Sequence, residues 1–195
     1  MIHDISEVFK DYCKAYIHIL TSFQPCLGTK QSINEANQVH QFLDAYKKKY
    51  PDAITWMELP IKDVREDGSF YTARIDGFIV VQKPARIIFI EAKRLSREKK
   101  VDSLREDVKR MKRILEQNYS GDRKIKNLNL DDYDVTALFL ADVWCKKVEL
   151  YNKWESYLES LKIEGMTILD KNKAEVSNGY ILMYVMMSYD NPKKK

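Results

Sequence analysis

The sequence predicts an α/β fold in which a mixed central sheet is flanked by helices. Segments with apolar residues at three- and four-residue steps alternate with runs rich in Ile, Val and Phe. Two of these runs flank a short turn and predict an antiparallel hairpin. The predicted order is helix, three-stranded meander, helix, strand, helix, strand, preceded by an N-terminal helical extension. Such a mixed order is typical of a sheet with helices packed on its faces.

Two helices are predicted at the start of the chain. Residues 5–23 carry apolar side chains at helical steps and lie within a helical extension over residues 1–28. A second helix is predicted from about residue 33 to residue 50, because Ser32 is a good N-cap and Pro51 follows the last apolar position.

Strands follow in a predicted three-stranded meander. Ala53–Leu59 is the first strand, and Phe70–Val81 and Arg86–Lys93 form the hairpin on either side of a turn at residues 82–85. The later elements are, in order, a charged helix over Ser96–Gln117, a buried strand over Val135–Ala141, a helix from about Tyr151 that ends at Gly165, and a last strand over Tyr180–Tyr189 after a tight turn at Asn178-Gly179.

Length and composition fit one domain without a zinc site. With 195 residues, 45% of them hydrophobic, and a net charge of +4, we expect a single domain with a core over residues 29–190 and a basic tail over 191–195. The three cysteines and three histidines lack the spacing of zinc ligands. Unpaired cysteines, the absence of a secretory pattern after Met1 and the absence of a long apolar run predict a cytoplasmic protein without membrane contact.

The hairpin is predicted to bring two carboxylates together. If its turn is centred between residues 83 and 84, Asp76 faces Glu91 across the two strands. Lys93 lies two residues after Glu91 and therefore on the same face, where it is opposed by Arg74.

Opposed carboxylates repel each other unless something offsets their charge. A hard cation such as Mg²⁺ prefers oxygen ligands and would stabilise Asp76 beside Glu91. Ions held there would polarise a phosphodiester and generate hydroxide from bound water. Lys93 would orient that water or stabilise developing negative charge. The alternative is that these are solvated charges at a strand end, or that Glu91 and Lys93 simply pair with each other.

The spacing of these residues resembles a known pattern. Asp76, fourteen intervening residues and then Glu91-Ala92-Lys93 resemble the PD-(D/E)XK nuclease superfamily, whose restriction-endonuclease-like fold matches the predicted order over residues 33–141. The resemblance implies that Asp76, Glu91 and the backbone carbonyl of Ala92 ligate Mg²⁺ or Mn²⁺ and that Lys93 is the catalytic lysine. Ile75 replaces the proline that gives the motif its name, which leaves the carboxylate in place.

A glutamate from the helix before the meander completes the site in many members of this superfamily, and Glu35 is the candidate here. Ser32-Ile33-Asn34-Glu35 is also a capping box, in which Glu35 would bond back to the amide of Ser32. Both interpretations stay open. Glu58, at the end of the first strand, is a further candidate.

The helix after Lys93 is basic. Residues 94–113 hold nine Lys or Arg against four Asp or Glu. Arg105 and Lys109 border its apolar stripe and are candidate substrate-binding residues that contact phosphates, and Arg74 is a third. The alternative is a solvated helix face with internal ion pairs.

Together these features predict a metal-dependent nuclease. DNA as the substrate follows from the resemblance alone. An RNA-directed nuclease and a catalytically inactive nucleic-acid- or protein-binding subunit of the same fold are the alternatives. A homodimer formed through the apolar face of residues 1–28 would allow cutting of two strands.

Overall fold

The structure of the protein, a computed structural model, describes residues 3–27, 35–64, 68–95, 97–118, 132–143, 148–160, 165–177 and 180–189. Within these residues, the helices are α1 (His3–Leu27), α2 (Glu35–Lys49), α3 (Glu98–Asn118) and α4 (Val148–Ser160). The strands are β1 (Ile54–Val64), β2 (Phe70–Gln82), β3 (Ala85–Leu95), β4 (Asp134–Val143), β5 (Met166–Ser177) and β6 (Tyr180–Tyr189). None of the described helices combines the length and the apolar character that crossing a membrane requires.

The six strands form one mixed sheet in the order β1-β2-β3-β4-β6-β5. β3 and β4 run parallel, and every other neighbouring pair in the sheet runs antiparallel. A parallel pair needs a crossover connection, and α3 lies in the connection between β3 and β4. The predicted α/β class with a mixed sheet flanked by helices is therefore confirmed.

A separate hydrophobic core covers each face of the sheet. On one face the predicted apolar stripe of α3 is buried together with α4, and on the other face α1 and α2 pack against the strands. Each large apolar side chain buried in this way stabilises the fold by roughly 1.5–3 kcal/mol. β4 lies between β3 and β6 and is buried from Val135 to Val143, as a strand covered on both faces should be.

The apolar face of α1 is part of the second core. Ile5 and Val8 are fully buried and Phe9 is 2% exposed, in one cluster with α2 and the middle of the sheet. In the described part of α1, this face is therefore already covered within the chain. The expectation that this face mediates dimerisation is therefore not supported by the packing.

The strand β5 is the element that the sequence did not predict. Its central part reads Asp170-Lys171-Asn172-Lys173, which are residues with low strand propensity. β5 forms one edge of the sheet, where lysines are common because they discourage pairing with other chains. The tight turn predicted at Asn178-Gly179 lies outside the described residues, but the flanking Ser177 and Tyr180 are paired.

Candidate active site

Asp76 and Glu91 lie on neighbouring strands at the point where the hairpin ladder ends. β2 and β3 pair in the predicted register from the turn as far as Gly77 and Ile90. Beyond that pair, Oδ2 of Asp76 accepts the amide N–H of Ala92 at 2.8 Å. The prediction that Asp76 directly faces Glu91 in a continuous ladder is corrected. The ladder ends one pair earlier, and the side chain of Asp76 accepts the Ala92 amide in place of a backbone carbonyl.

Asp76 occupies an irregular point of β2. Glu58, which lies between the β1 partners of Ile75 and Gly77, has a φ of 56°, a left-handed conformation that residues other than glycine rarely adopt. Residues two apart on a strand normally share a face. Here Ile75 packs in the α3 core, whereas a Cβ at Gly77 would lie 2.7 Å from Val39 of α2 on the other face. The regular alternation of side chains between the two faces of β2 is therefore interrupted at Asp76. The carboxylate of Asp76 points along the sheet toward β3.

Glu91 projects from β3 toward α3 and is 2% exposed. Its Oε1 lies 2.6 Å from the guanidinium of Arg110. Burial raises the pKa of Glu91 to about 8 despite the opposing effect of Arg110, and the charge of Asp76 adds to the increase. Burial raises the pKa of Asp76 as well, although the hydrogen bond from the Ala92 amide acts against the increase. The two predicted carboxylates thus lie close enough to influence each other, and both ionise reluctantly in the absence of a cation.

Lys93 lies on the same face of β3 as Glu91. Its Nζ is 2.8 Å from Oδ2 of Asp107 on α3, and its side chain is 13% exposed. Burial favours the neutral amine, but Asp107, Glu35 and Asp76 outweigh it and raise the pKa of Lys93. The lysine therefore stays charged beside the carboxylate pair.

Glu35 is the first residue of α2 and reaches the end of β3. Its Oε1 accepts the amide N–H of Arg94 at 3.1 Å and lies 3.2 Å from Nζ of Lys100. Burial opposes ionisation of Glu35, but the Arg94 amide, Lys93 and Lys100 together lower its pKa. Ser32, the partner in the predicted capping box, lies outside the described residues. The structure brings Glu35 into the same group of charges as Lys93.

Asp107 and Arg110 belong to the site and were not among the residues predicted from the sequence. Arg110 contacts Glu91 and also lies 3.1 Å from Asp107, which pairs with Lys93, so β3 and α3 are joined by one chain of ion pairs. The position of Asp107 within the apolar stripe of α3 could have indicated its role. Asp107 falls between Leu104 and Met111 on the buried side of α3, a position where an acidic residue is unexpected unless it has a partner.

Arg74 does not oppose Lys93, which corrects a second part of the predicted register. It is paired with Pro60 of β1, and its guanidinium donates to Glu58 at 3.0 Å. Its side chain is 69% exposed. β2 has left β3 at this point, so Arg74 lies outside the group of charges around Lys93.

Arg105 and Lys109 form ion pairs within α3. Arg105 lies 3.5 Å from Asp102 and 4.9 Å from the ring centre of Tyr157, and Lys109 lies 2.8 Å from Glu106. Such pairs are what a solvated helix face with internal ion pairs, the alternative to phosphate binding, predicts. Exposed pairs of this kind contribute only a few tenths of a kcal/mol, roughly 0.2–0.5. The phosphate contacts of Arg105 and Lys109 stay a prediction.

A buried polar network lies behind the site on the α2 face. Asp142 of β4 accepts hydrogen bonds from Gln38 at 2.9 Å, from Arg94 at 3.2 Å and from the hydroxyl of Tyr180. Burial raises the pKa of Asp142, while Arg94 acts against the increase. Because Arg94 follows Lys93 directly, this network fixes the end of β3 against β4 and α2.

The carboxylate pair fits a cation that is held in part by water. Within the described residues, no group of three or more His, Cys, Asp or Glu side chains is arranged to hold a metal. Asp76 and Glu91 supply two oxygen ligands, and the amide contact places Asp76 against Ala92, whose carbonyl is the third implied ligand. Mg²⁺ commonly uses one or two carboxylates and keeps several waters. The donors present therefore suit Mg²⁺ or Mn²⁺ and do not suit a fully protein-ligated ion.

Comparison with protein-family models, with curated proteins and with solved structures finds no match for this chain. The functional inference therefore rests on the residues of the motif and on the geometry around them.

Proposed function

We propose that this chain is a metal-dependent nuclease with a restriction-endonuclease-like core, DNA as its substrate and Mg²⁺ or Mn²⁺ as its cofactor. The observation that carries the proposal is that the hydrogen bond from the Ala92 amide holds the carboxylate of Asp76 beside the buried Glu91, with the charged amine of Lys93 on the same face of β3. Two poorly solvated carboxylates held close together are unfavourable on their own, and a hard cation offsets their repulsion.

The order of the elements supports the same proposal. α2, β1 to β3, α3 and β4 follow one another as helix, three-stranded meander, helix and strand. Asp76 lies on the second strand of this meander, and Glu91-Ala92-Lys93 lies on the third. These are the elements on which the resemblance places the two halves of the motif.

Each residue of the site has a chemical role in the proposed reaction. Asp76, Glu91 and the carbonyl of Ala92 would hold the cation, which supplies a Lewis acid and lowers the pKa of bound water. Lys93 orients the attacking water or stabilises the negative charge that develops on the phosphate. Its ammonium group is held in place by Asp107. Glu35 is a positioning residue, because it acts through the charge of Lys93 and the amide of Arg94.

A nicking assay on two polymers tests the proposal. Wild-type protein is incubated with supercoiled plasmid and, separately, with a structured RNA, in Mg²⁺, in Mn²⁺ and in chelator. We expect plasmid to be nicked or linearised in the two metals and to stay intact in chelator, with RNA intact throughout. Cleavage of RNA alone would assign the substrate to RNA, and an intact plasmid and RNA under every condition would contradict nuclease function.

A non-catalytic binding subunit of the same fold is the second candidate. The ion pairs of Lys93 with Asp107 and of Glu91 with Arg110 favour it, because they offset the charges of the site without a cation. This candidate predicts that nucleic-acid binding does not change on addition of Mn²⁺ or in Asp76→Asn. The nuclease proposal predicts that Mn²⁺ strengthens binding and that Asp76→Asn removes the effect.

A further inference from the structure

We propose that Arg110 is an internal counter-ion that occupies Glu91 while no metal is bound, is displaced from it when metal binds, and then contacts a phosphate of the substrate. This inference rests on the proposed function, because it assigns a further residue to the same site. The guanidinium of Arg110 lies 2.6 Å from Glu91 and 3.1 Å from Asp107.

The pairing of Arg110 in this position is incomplete. Both contacts use the same terminal nitrogen of the guanidinium. Nε of Arg110 is buried and has no hydrogen-bond partner within the described part of the chain. A guanidinium forms its strongest contacts when two nitrogens meet two oxygens of one carboxylate or phosphate. The contact with Glu91 is therefore short but leaves part of the hydrogen-bonding capacity of Arg110 unused.

Arg110 and a divalent cation compete for the same carboxylate. Glu91 is 2% exposed, so its charge is screened little by water and needs a positive partner. A metal ion beside Asp76 and Glu91 supplies that partner and repels the guanidinium. Once Glu91 is taken by the metal, Asp107 is the acid that still attracts Arg110, and Asp107 already holds Lys93.

A released Arg110 has a route to the substrate. Its side chain is 22% exposed, whereas Glu91 is buried, so the guanidinium lies at the boundary between the carboxylates and solvent. A phosphodiester bound to the metal through one non-bridging oxygen would present its second non-bridging oxygen at this boundary, where a guanidinium can donate to it. Metal and nucleic acid would then bind cooperatively, and each would strengthen the other by the same factor.

Metal titration of three variants tests the inference. Mn²⁺ affinity is measured by calorimetry for wild type, Arg110→Met, Arg110→Lys and the control Lys10→Met. The methionine keeps an apolar stem without the charge. Lys10 of α1 lies on the opposite side of the sheet and pairs with Glu7, so its replacement removes the same net charge away from the site. We expect Arg110→Met to bind Mn²⁺ at least about tenfold more tightly, Arg110→Lys about threefold more tightly, and Lys10→Met within about twofold of wild type.

Binding of a DNA duplex supplies the second readout. In Ca²⁺, which takes the same kind of oxygen ligands, we expect wild type to bind the duplex more tightly than in chelator. Arg110→Met should lose most of this gain and Arg110→Lys should keep part of it. If Arg110→Met does not fold, Arg110→Lys carries the test, and its Mn²⁺ affinity must still exceed that of wild type.

The outcomes separate this inference from the proposed function. Unchanged or weaker Mn²⁺ binding in the Arg110 variants overturns the role of Arg110 even if wild type cuts DNA. Tighter Mn²⁺ binding in a protein that cuts no nucleic acid supports the role of Arg110 and removes the nuclease proposal. Wild type that binds no Mn²⁺ overturns both, and equal tightening in Lys10→Met would show a general effect of charge.

Discussion

Oδ2 of Asp76 accepts the amide N–H of Ala92 at 2.8 Å, at the point where the backbone ladder between β2 and β3 stops. One carboxylate therefore performs two tasks, since it closes the gap between the strands and supplies negative charge next to Glu91. The two halves of the motif are joined by this contact before any cation is bound.

The structural task of Asp76 can be separated from its charge. Asp76→Asn keeps an oxygen that accepts the Ala92 amide, whereas Asp76→Ala leaves that amide without its acceptor. An unsatisfied buried amide costs about 1–3 kcal/mol, and relief of the repulsion with Glu91 returns at most about 1 kcal/mol. In metal-free urea denaturation we expect Asp76→Ala to be less stable than Asp76→Asn. Equal stability of the two variants would show that the hydrogen bond contributes nothing.

Lys93 is expected to serve turnover and not metal binding. An ammonium has no lone pair with which to ligate a cation, and Asp107 retains Arg110 as a partner when Lys93 is replaced. We expect Lys93→Ala to bind Mn²⁺ with nearly wild-type affinity and to lose cleavage. Calorimetry in which Lys93→Ala loses metal as completely as Glu91→Gln would contradict this division of roles.

Arg105 and Lys109 are expected to contact phosphates despite their partners within α3. Each phosphate contact that is lost should reduce the salt slope of duplex binding by roughly 0.9, so the double alanine variant should flatten the slope by nearly two units and weaken binding to all sequences alike. Binding titrations at several salt concentrations measure this slope.

The matched control for that variant is a pair of lysines on α1. Lys10 and Lys14 lie on the opposite side of the sheet and pair with acids three residues earlier, at 2.6 and 2.9 Å, in the same geometry as Arg105 and Lys109. Lys100 is unsuitable because it contacts Glu35. An equal change of slope in both double variants would mean that the cations of α3 act only through net charge.

Cys13 reports on the packing of α1. Its thiol is buried, and burial raises its pKa to about 12. Because the thiolate is the reactive form, we expect Cys13 to resist alkylation in the native protein at pH 8 and to react as soon as the protein is unfolded in urea. Peptide mass spectrometry identifies the modified residue. Rapid alkylation of native Cys13 would show that α1 does not stay packed on α2.

The sequence predicted the elements whose periodicity is set by burial. The stripe of α3 and the apolar run of β4 were found because a covered face leaves a regular pattern of large apolar side chains. β5 was missed because an edge strand does not need such a pattern, and its charged centre has low strand propensity.

Within the site, residues close together in the hairpin were predictable and residues brought by tertiary packing were not. Counting residues outward from the turn identified Asp76 and Glu91 as neighbours. The same count assumed a regular ladder between β2 and β3 and therefore misplaced Arg74. The irregularity at Glu58 and Asp76 has no signature in a single sequence. Asp107 and Arg110 join the site because α3 crosses β3, a relationship that only the fold defines.

The rate of plasmid nicking in Mg²⁺ tests the central claim most directly. It is measured at equal protein concentration for wild type, Asp76→Asn, Glu91→Gln and the control Asp44→Asn, an acid on α2 that pairs with Lys48. All three substitutions keep the shape of the side chain. We expect wild type and Asp44→Asn to nick at similar rates, and both site variants to fall by at least about a hundredfold, which corresponds to roughly 2.7 kcal/mol of lost transition-state stabilisation. Nicking by Asp76→Asn or Glu91→Gln at the wild-type rate would contradict the assignment of this carboxylate pair as the active site.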